Sequence, residues 1–452
     1  MLTVPFMLLV EGFFCNILFR PDATTDMGFM AVLLLIINSV ATIVTLSRKM
    51  EQENEPELGK YVLLSFVLRI LVLLWDYFGR NIFVLPNSEA DAVGYHNAGM
   101  SYAFGSRRGK VDWSDYSFYL GYLYRLFGIQ KMTAQFINVY LTMCTILFLI
   151  RITKQFHLDE TIRRTAIGLM CFLPNSMLIT CFTLQEALIA FLLMASLSCF
   201  TKWFFEKNIL FFVFSILISL AAANLHIGGS VTAVIFLAMF VFLNNPERKF
   251  TLTVGKSILA IGFVVLILIF FSTSGSGLLK KINGKELSAE NIVSSTTVPD
   301  AVTDADYVIG FSGLPPVADL VVNSPIRIFY FVSSPPPWMW RGPGDIIAFF
   351  GSALFYLYTI KVAYTAFRDR KFIEDSDQLK AYFYVLVGVL LLAALMFGWA
   401  VSNTGTALRH REKYTCMCAL LFAFSQEISL RAKENKEHAL RNGIGRRPNL
   451  QR

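Results

Sequence analysis

The sequence predicts an all-α polytopic integral membrane protein, with about twelve transmembrane helices and further helices lying along the outer surface. Three observations carry that expectation. Of 452 residues, 55% are hydrophobic and only 16% are charged, whereas close to a quarter of an ordinary globular chain is charged. Apolar runs of about 20 residues, the length that crosses a bilayer, recur along the whole chain. The 42 phenylalanines suit helices that face lipid. So little charge cannot cover a soluble surface, which excludes a cytosolic enzyme, a disordered chain, a coiled coil and a secreted disulfide scaffold. Lipid offers no partner to open backbone, so many separate apolar runs must close as helices.

The first run, 2–19, lacks a basic n-region and a small-residue cleavage site and reads as a retained span. With 27–46 it makes an N-terminal pair inside residues 1–59. A module over 60–272 follows, with runs at 61–79, 132–150, 165–182, 186–204, 209–225, 229–244 and 256–272. Arg69 and Asp76 stand two helical turns apart in the run at 61–79, hence on one face. Charges inside a span turn toward the bundle or a cavity, so a structural pairing and a place in a site are both open. The loop 80–131 holds DYSFYLGYLYRLFG, too polar to span and too apolar for free solution, which reads as an interfacial helix. The segment 273–343 begins Ser/Thr-rich and ends in VVNSPIRIFYFVSSPPPWMWRGPGD, a broken, Pro-punctuated re-entrant or interfacial stretch. Its Trp338 and Trp340 suit the aromatic belt better than a sugar platform. Residues 344–430 add runs at 345–366, 380–400 and 413–430, and 431–452 form a basic tail.

Lys and Arg set the orientation. With a cytoplasmic N-terminus the larger share of them, including Arg48, Lys49, Arg163, Arg164 and the tail, falls inside. Both termini are then cytoplasmic. The net charge of +8 is explained by this topology, and a nucleic-acid partner is not expected. The seven cysteines sit mostly in apolar runs without metal-type spacing and read as small buried hydrophobes.

Under this topology the polar residues that need explaining gather on the outer side. Asp91, Tyr95 and His96 follow the third run, Glu186 opens the sixth, and His226 sits in the turn NLHIGG. Arg327 and Arg341 bracket the Pro-rich loop, and Arg409, His410, Arg411, Lys413 and Tyr414 fill NTGTALRHREKYT. Carboxylates and cations at one depth suit a site for an anionic lipid at the membrane–water boundary. Arg grips phosphate oxygens in a bidentate way and a helix N-terminus adds positive potential; snorkelling to headgroups is the plainer alternative for the basic cluster. Asp91 is the best general base, able to take a proton from an attacking hydroxyl, although Glu89 is not excluded by spacing and an N-cap role is physically sound. Glu186 is a second acid or a first-turn residue favoured by the helix dipole. His96 and His226 each read more readily as structural residues than as site residues.

These residues resemble the GT-C superfamily of membrane glycosyltransferases, which use polyprenyl-phosphate- or pyrophosphate-linked sugars. The matching elements are the D-x-x-x-Y-H pattern of Asp91, Tyr95 and His96 in EADAVGYH, the aromatic interfacial stretch, and Glu186 in TLQEAL at the position of the family's second acid. NTGTALRHREKYT is similar to a late outer loop of bacterial polysaccharide repeat-unit polymerases. The likeness spans roughly 60–272; the family's acidic motif follows the first span, whereas here it follows the third run, with two additional runs ahead. It implies inverting sugar transfer at the outer face of a bacterial inner (plasma) membrane. Asp91 and Glu186 would be catalytic. Tyr95, His96, His226, Arg327, Arg341, Arg409, His410, Arg411 and Lys413 would bind substrate. The implied partners are a polyprenyl-phosphate-linked sugar donor, a glycan or lipid-linked acceptor, and membrane lipids. Some members use a divalent metal near the acidic motif, and no ligand set here decides the matter. The competing class is a transporter or flippase of lipid-linked oligosaccharide, which would show related halves and charges along a path through both leaflets. An acyltransferase would want an inner histidine in an apolar setting, which neither His157 nor His438 has.

Overall fold

The computed structural model describes residues 2–22, 28–89, 91–105, 115–242, 305–307, 309, 314–373 and 377–441, with four isolated positions between 255 and 262. Every regular element among them is a helix. They run α1 (Thr3–Phe19), α2 (Gly28–Gln52), α3 (Pro56–Gly79, its last turn a π turn), α4 (Asp91–Phe104) and α5 (Asp115–Phe127). There follow α6 (Lys131–Gln155), α7 (Glu160–Phe172), α8 (Pro174–Ile179), α9 (Glu186–Glu206), α10 (Ile209–Leu225) and α11 (Ser230–Phe242). The last are α12 (Pro316–Ser333), α13 (Pro343–Phe372, with an internal π turn), α14 (Asp377–Ala400), α15 (Thr404–Glu412) and α16 (Thr415–Arg441).

Six helices, α2, α3, α6, α9, α13 and α14, are long and apolar enough to cross a membrane, and α1, α10 and α11 are shorter apolar helices. The chain is therefore a helical, membrane-embedded protein. Of the twelve expected spans, 256–272 lies almost wholly outside the described residues. The span at 165–182 is not one helix. Leu173 leaves helical geometry (φ −58°, ψ 117°) and Pro174 starts α8 afresh, because proline cannot donate to the preceding turn and biases the residue before it toward extended backbone. The run at 413–430 is the first part of α16, a buried helix more polar than the six. In the Pro-rich segment α12 continues through Pro325, and the break falls at Ser334 instead.

The core lies around α6, most of whose residues are buried, with α16 beside it. Two arginines close gaps where prolines end helices. The last carbonyls of a helix lack partners within it. At the end of α7, Arg69 of α3 donates through Nη1 to Cys171 O (3.0 Å) and through Nε to Thr180 Oγ1 (3.2 Å). At the end of α12, Arg411 donates to Phe331 O (2.8 Å), Val332 O (2.6 Å) and Ser334 O. Asp76, near the end of α3, is buried against Lys131 Nζ (2.7 Å), Gln135 Nε2 (2.7 Å) and Arg80 Nη1 (3.0 Å), tying α3 to α6. Arg69 and Asp76 thus bind separate partners within the bundle. The aromatic stretch forms α5, whose Tyr116, Leu120, Tyr124 and Phe127 are buried.

Candidate functional site: an ion cluster beside a cleft

Three segments far apart in sequence meet at one end of this bundle. The first turn of α4 presents Asp91, that of α9 presents Glu186, and α15 presents Arg409. Short polar caps set these positions. Asn403 Oδ1 accepts from Gly405 N (2.9 Å) and Thr406 N (3.3 Å), which starts α15, while its Nδ2 donates to Asp306 Oδ1 (2.7 Å). Thr183 Oγ1 donates to Ala92 O (2.9 Å), which fastens the start of α4 to the turn before α9.

Arg409 pairs with Asp91 on one side and, through Nη2, with Glu186 Oε1 (3.3 Å) on the other. Lys413 Nζ lies 3.9 Å from the same Glu186 oxygen and donates to His410 Nδ1 (2.7 Å). His410 is therefore neutral, and burial followed by the charge of Lys413 holds its pKa well below the ordinary value. Its ring packs on His226 and on Phe397, each with centroids 4.7 Å apart. His226 Nδ1 accepts from Gly228 N (3.2 Å), and Tyr414 OH donates to Gly228 O (2.6 Å). Burial pulls Arg409 down to about 10, which leaves it cationic at neutral pH.

Asp91 and Arg409 line a cleft of about 440 Å³ together with Asn87, Glu89, Leu184 and Thr406. Asp91 is the exposed member of the cluster, with 61% of its side chain accessible, whereas Glu186 is fully buried. Two buried polar atoms, Glu186 Oε2 and Arg409 Nε, have no hydrogen-bond partner. Native proteins leave few such atoms, and burying charges costs several kcal/mol per ion by order of magnitude, so a cluster of this kind is a poor device for stability alone.

The structure also separates the two acids that spacing left open. Glu89 lies 3.9 Å from Arg80 and is largely exposed, so of these two acids it is Asp91 that pairs with Arg409. Other expected site residues lie apart. Tyr95 packs edge-on against Tyr116, and His96 Nδ1 meets Tyr124 OH (2.7 Å), both turned toward α5. Burial, helped by Lys131, pulls His96 down to about 4, so it is neutral. Arg327 is buried against Asp319 Oδ2 (3.2 Å) and Ile309 O (2.7 Å). Arg411 is fixed by its guanidinium to the carbonyls of Phe331, Val332 and Ser334 and makes no ion pair with Asp91 or Glu186 among the described residues. Arg341 makes a bidentate pair with Asp345 (2.9 and 2.8 Å) at a second cleft.

One residue the sequence reading passed over belongs nearby. Glu412 accepts from Ser176 Oγ (2.7 Å) and Thr415 Oγ1 (3.2 Å), and burial pushes it up to about 7. Its only sequence signal is an acid inside a basic run. No group of three or more His, Cys, Asp or Glu gathers among the described residues. The guanidinium of Arg409 stands between the two cluster carboxylates, so this donor set does not fit a divalent ion. In comparisons with family models, curated proteins and solved structures, the chain finds no match.

Proposed function

We propose that the chain is a membrane glycosyltransferase. It moves a sugar or oligosaccharide from a polyprenyl (pyro)phosphate to an acceptor hydroxyl at the outer membrane face, in cell-surface polysaccharide or glycoconjugate assembly. The observation that carries this reading is the alternation Asp91, Arg409, Glu186, Lys413 beside a cleft that Asp91 and Arg409 line, with Asp91 exposed and Glu186 and Lys413 buried behind.

The pairing suggests an exchange. A lipid phosphate entering the cleft offers Arg409 a more highly charged partner than Asp91, and a guanidinium fits phosphate in a bidentate way. Asp91 is then released beside the donor. It takes the proton of the acceptor hydroxyl as that oxygen bonds to the anomeric carbon. The bond from that carbon to the phosphate oxygen breaks, and its electron pair leaves on the phosphate. Arg409, with Lys413 behind it, stabilises the charge that develops there. Glu186 keeps both cations oriented while the phosphate is absent.

The test is transfer in proteoliposomes loaded with total polyprenyl-linked glycans extracted from the source membranes. Asp91→Asn is expected to slow formation of the new glycosidic bond by at least about 100-fold, the lower range for a general base. Glu89→Gln should stay within a few-fold of the wild type. Wild-type rates in Asp91→Asn would remove Asp91 as the base. Passage of intact lipid-linked glycan across the bilayer with no new glycosidic bond would replace this reading with that of a transporter.

A further inference from the structure

The molecule carries a second polar cleft, of about 470 Å³, against the first. Both are walled by Pro86, Asn87, Asn403 and Gly405. We infer that this second cleft is a subsite for a neutral saccharide, seating the glycan whose lipid phosphate is held at Arg409. The inference rests on the glycosyltransferase reading and assigns the uncharged part of its substrate.

The chemistry of the lining differs from that of the ion cluster. Its two charged residues, Arg341 and Asp345, neutralise each other. Arg341 Nε and Nη2 hold both carboxylate oxygens, and Arg341 N donates to Asp345 Oδ2 (2.9 Å). Neither an anion nor a cation is favoured there. The remaining polar lining comes from the amides Asn87, Asn175 and Asn403 and the hydroxyl of Thr404. An amide offers donors and an acceptor in one plane, which suits neighbouring sugar hydroxyls. Asn403 is engaged in capping α15 and only shapes the wall. Asn175 is different. It is 4% exposed and lines the cleft, yet its Nδ2 has no hydrogen-bond partner. A buried amide left with an unmade bond is unfavourable, so a polar ligand that accepts from it is favoured. Leu178, Ile347 and Leu408 supply apolar surface for the C–H faces of a sugar ring. At Gly342 and Gly344 an added Cβ would meet nothing within 4 Å, so the cleft has room on that side. Its volume is in the ordinary range for a small-molecule site.

The experiment uses the full chain in fluorescent nanodiscs over immobilised glycans. The array holds neutral hexose and N-acetylhexosamine oligosaccharides with their uronate- and phosphate-bearing counterparts. Retention of decaprenyl phosphate is measured in parallel. Neutral glycans are expected to bind at least about tenfold better than charged ones, a difference of 1.4 kcal/mol. Gly344→Trp, which fills open space without removing a contact, should abolish glycan binding and leave decaprenyl phosphate bound. Asn175→Leu should weaken glycan binding about tenfold. Arg409→Gln should do the opposite, losing the lipid and keeping the glycan. The inference fails if Gly344→Trp binds glycans like the wild type, if charged glycans are preferred, or if decaprenyl phosphate is retained and no glycan binds. If glycan binding sensitive to Gly344→Trp persists while the wild type retains no decaprenyl phosphate, the glycosyltransferase reading falls and the saccharide subsite stands.

Discussion

Arg409 and Arg411 stand two residues apart on α15 and are expected to fail in opposite ways. Arg411→Met keeps an unbranched side chain of similar length and removes the donors to the carbonyls of Phe331, Val332 and Ser334 at the end of α12. Each stranded buried carbonyl costs about 1–3 kcal/mol. The three carbonyls of Phe331, Val332 and Ser334 share one terminus and relax together, and deleting a buried charge recovers part of its desolvation. A net loss of about 3 kcal/mol is therefore expected. For Arg409→Gln the sum is smaller. Its pair with Asp91 involves a carboxylate that is 61% exposed, which is worth at most about 1 kcal/mol. Its second partner, Glu186, keeps Lys413 at 3.9 Å. A loss of about 1 kcal/mol remains. The assay is unfolding in mixed dodecylmaltoside and SDS micelles at pH 7, read by tryptophan fluorescence, with decaprenyl phosphate retention measured on the same samples. Arg411→Met should be the less stable protein, and its folded fraction should still retain lipid. Arg409→Gln should be nearly as stable as the wild type and lose the lipid. The reasoning is refuted if Arg409→Gln is the more destabilised of the two, or if Arg411→Met unfolds normally and has lost the lipid.

Other expectations follow from the same contacts. Glu412 has its folded-state pKa raised from the ordinary 4.5 to about 7 by burial. Its contribution to stability is then full below pH 4.5 and is lost as pH rises through 7. Glu412→Gln should match the wild type near pH 4.5 and exceed it at pH 8 by about 3 kcal/mol, and unfolding curves that run parallel across this range would contradict the assignment. Asp76→Ala strands Lys131 and Gln135 inside the bundle and should lower stability by about 3 kcal/mol; a loss below 1 kcal/mol in the same micelle assay would show that water reaches that pair. Gly229→Ala places a Cβ 2.6 Å from Ala222 C and 2.7 Å from Ala223 N. Backbone must move, so a loss of about 2 kcal/mol is expected, and a wild-type unfolding curve would mean that the turn before α11 is looser than described.

The helical, membrane-embedded character was legible because composition and run length are direct consequences of a lipid solvent. The number of spans was less so. A hydropathy run does not reveal that Pro174 divides 165–182, nor that α16 carries buried Thr415, Ser425 and Glu427 and then continues to Arg441 with mostly exposed residues. Within the site, Asp91, Glu186, His226, Arg409, His410 and Lys413 were grouped by assigning each to one side of the membrane, and the structure brings these six together. The same logic grouped Arg327, Arg341 and Arg411 with them. It could not see that Asp319, Asp345 and the carbonyls ending α12 already occupy those guanidinium groups, because such partners are fixed by tertiary packing. The deep Arg69 has the same explanation. Its role depends on a helix ending beside it, at a proline about one hundred residues away in the chain. Glu412 escaped notice because a lone acid among basic residues reads as charge balance until its burial is known.

The most direct test of the central claim is native mass spectrometry of the detergent-purified protein, scanning for bound polyprenyl lipids. Wild type, Asp91→Asn and Arg409→Ala would be compared. If the cluster holds a lipid phosphate through Arg409 and releases Asp91 as the base, the wild type and Asp91→Asn should both carry a glycosylated polyprenyl (pyro)phosphate, and Arg409→Ala should carry none. Absence of such a lipid from every form, or its retention by Arg409→Ala, would contradict the claim and leave the cluster's cations as anchors at the membrane surface.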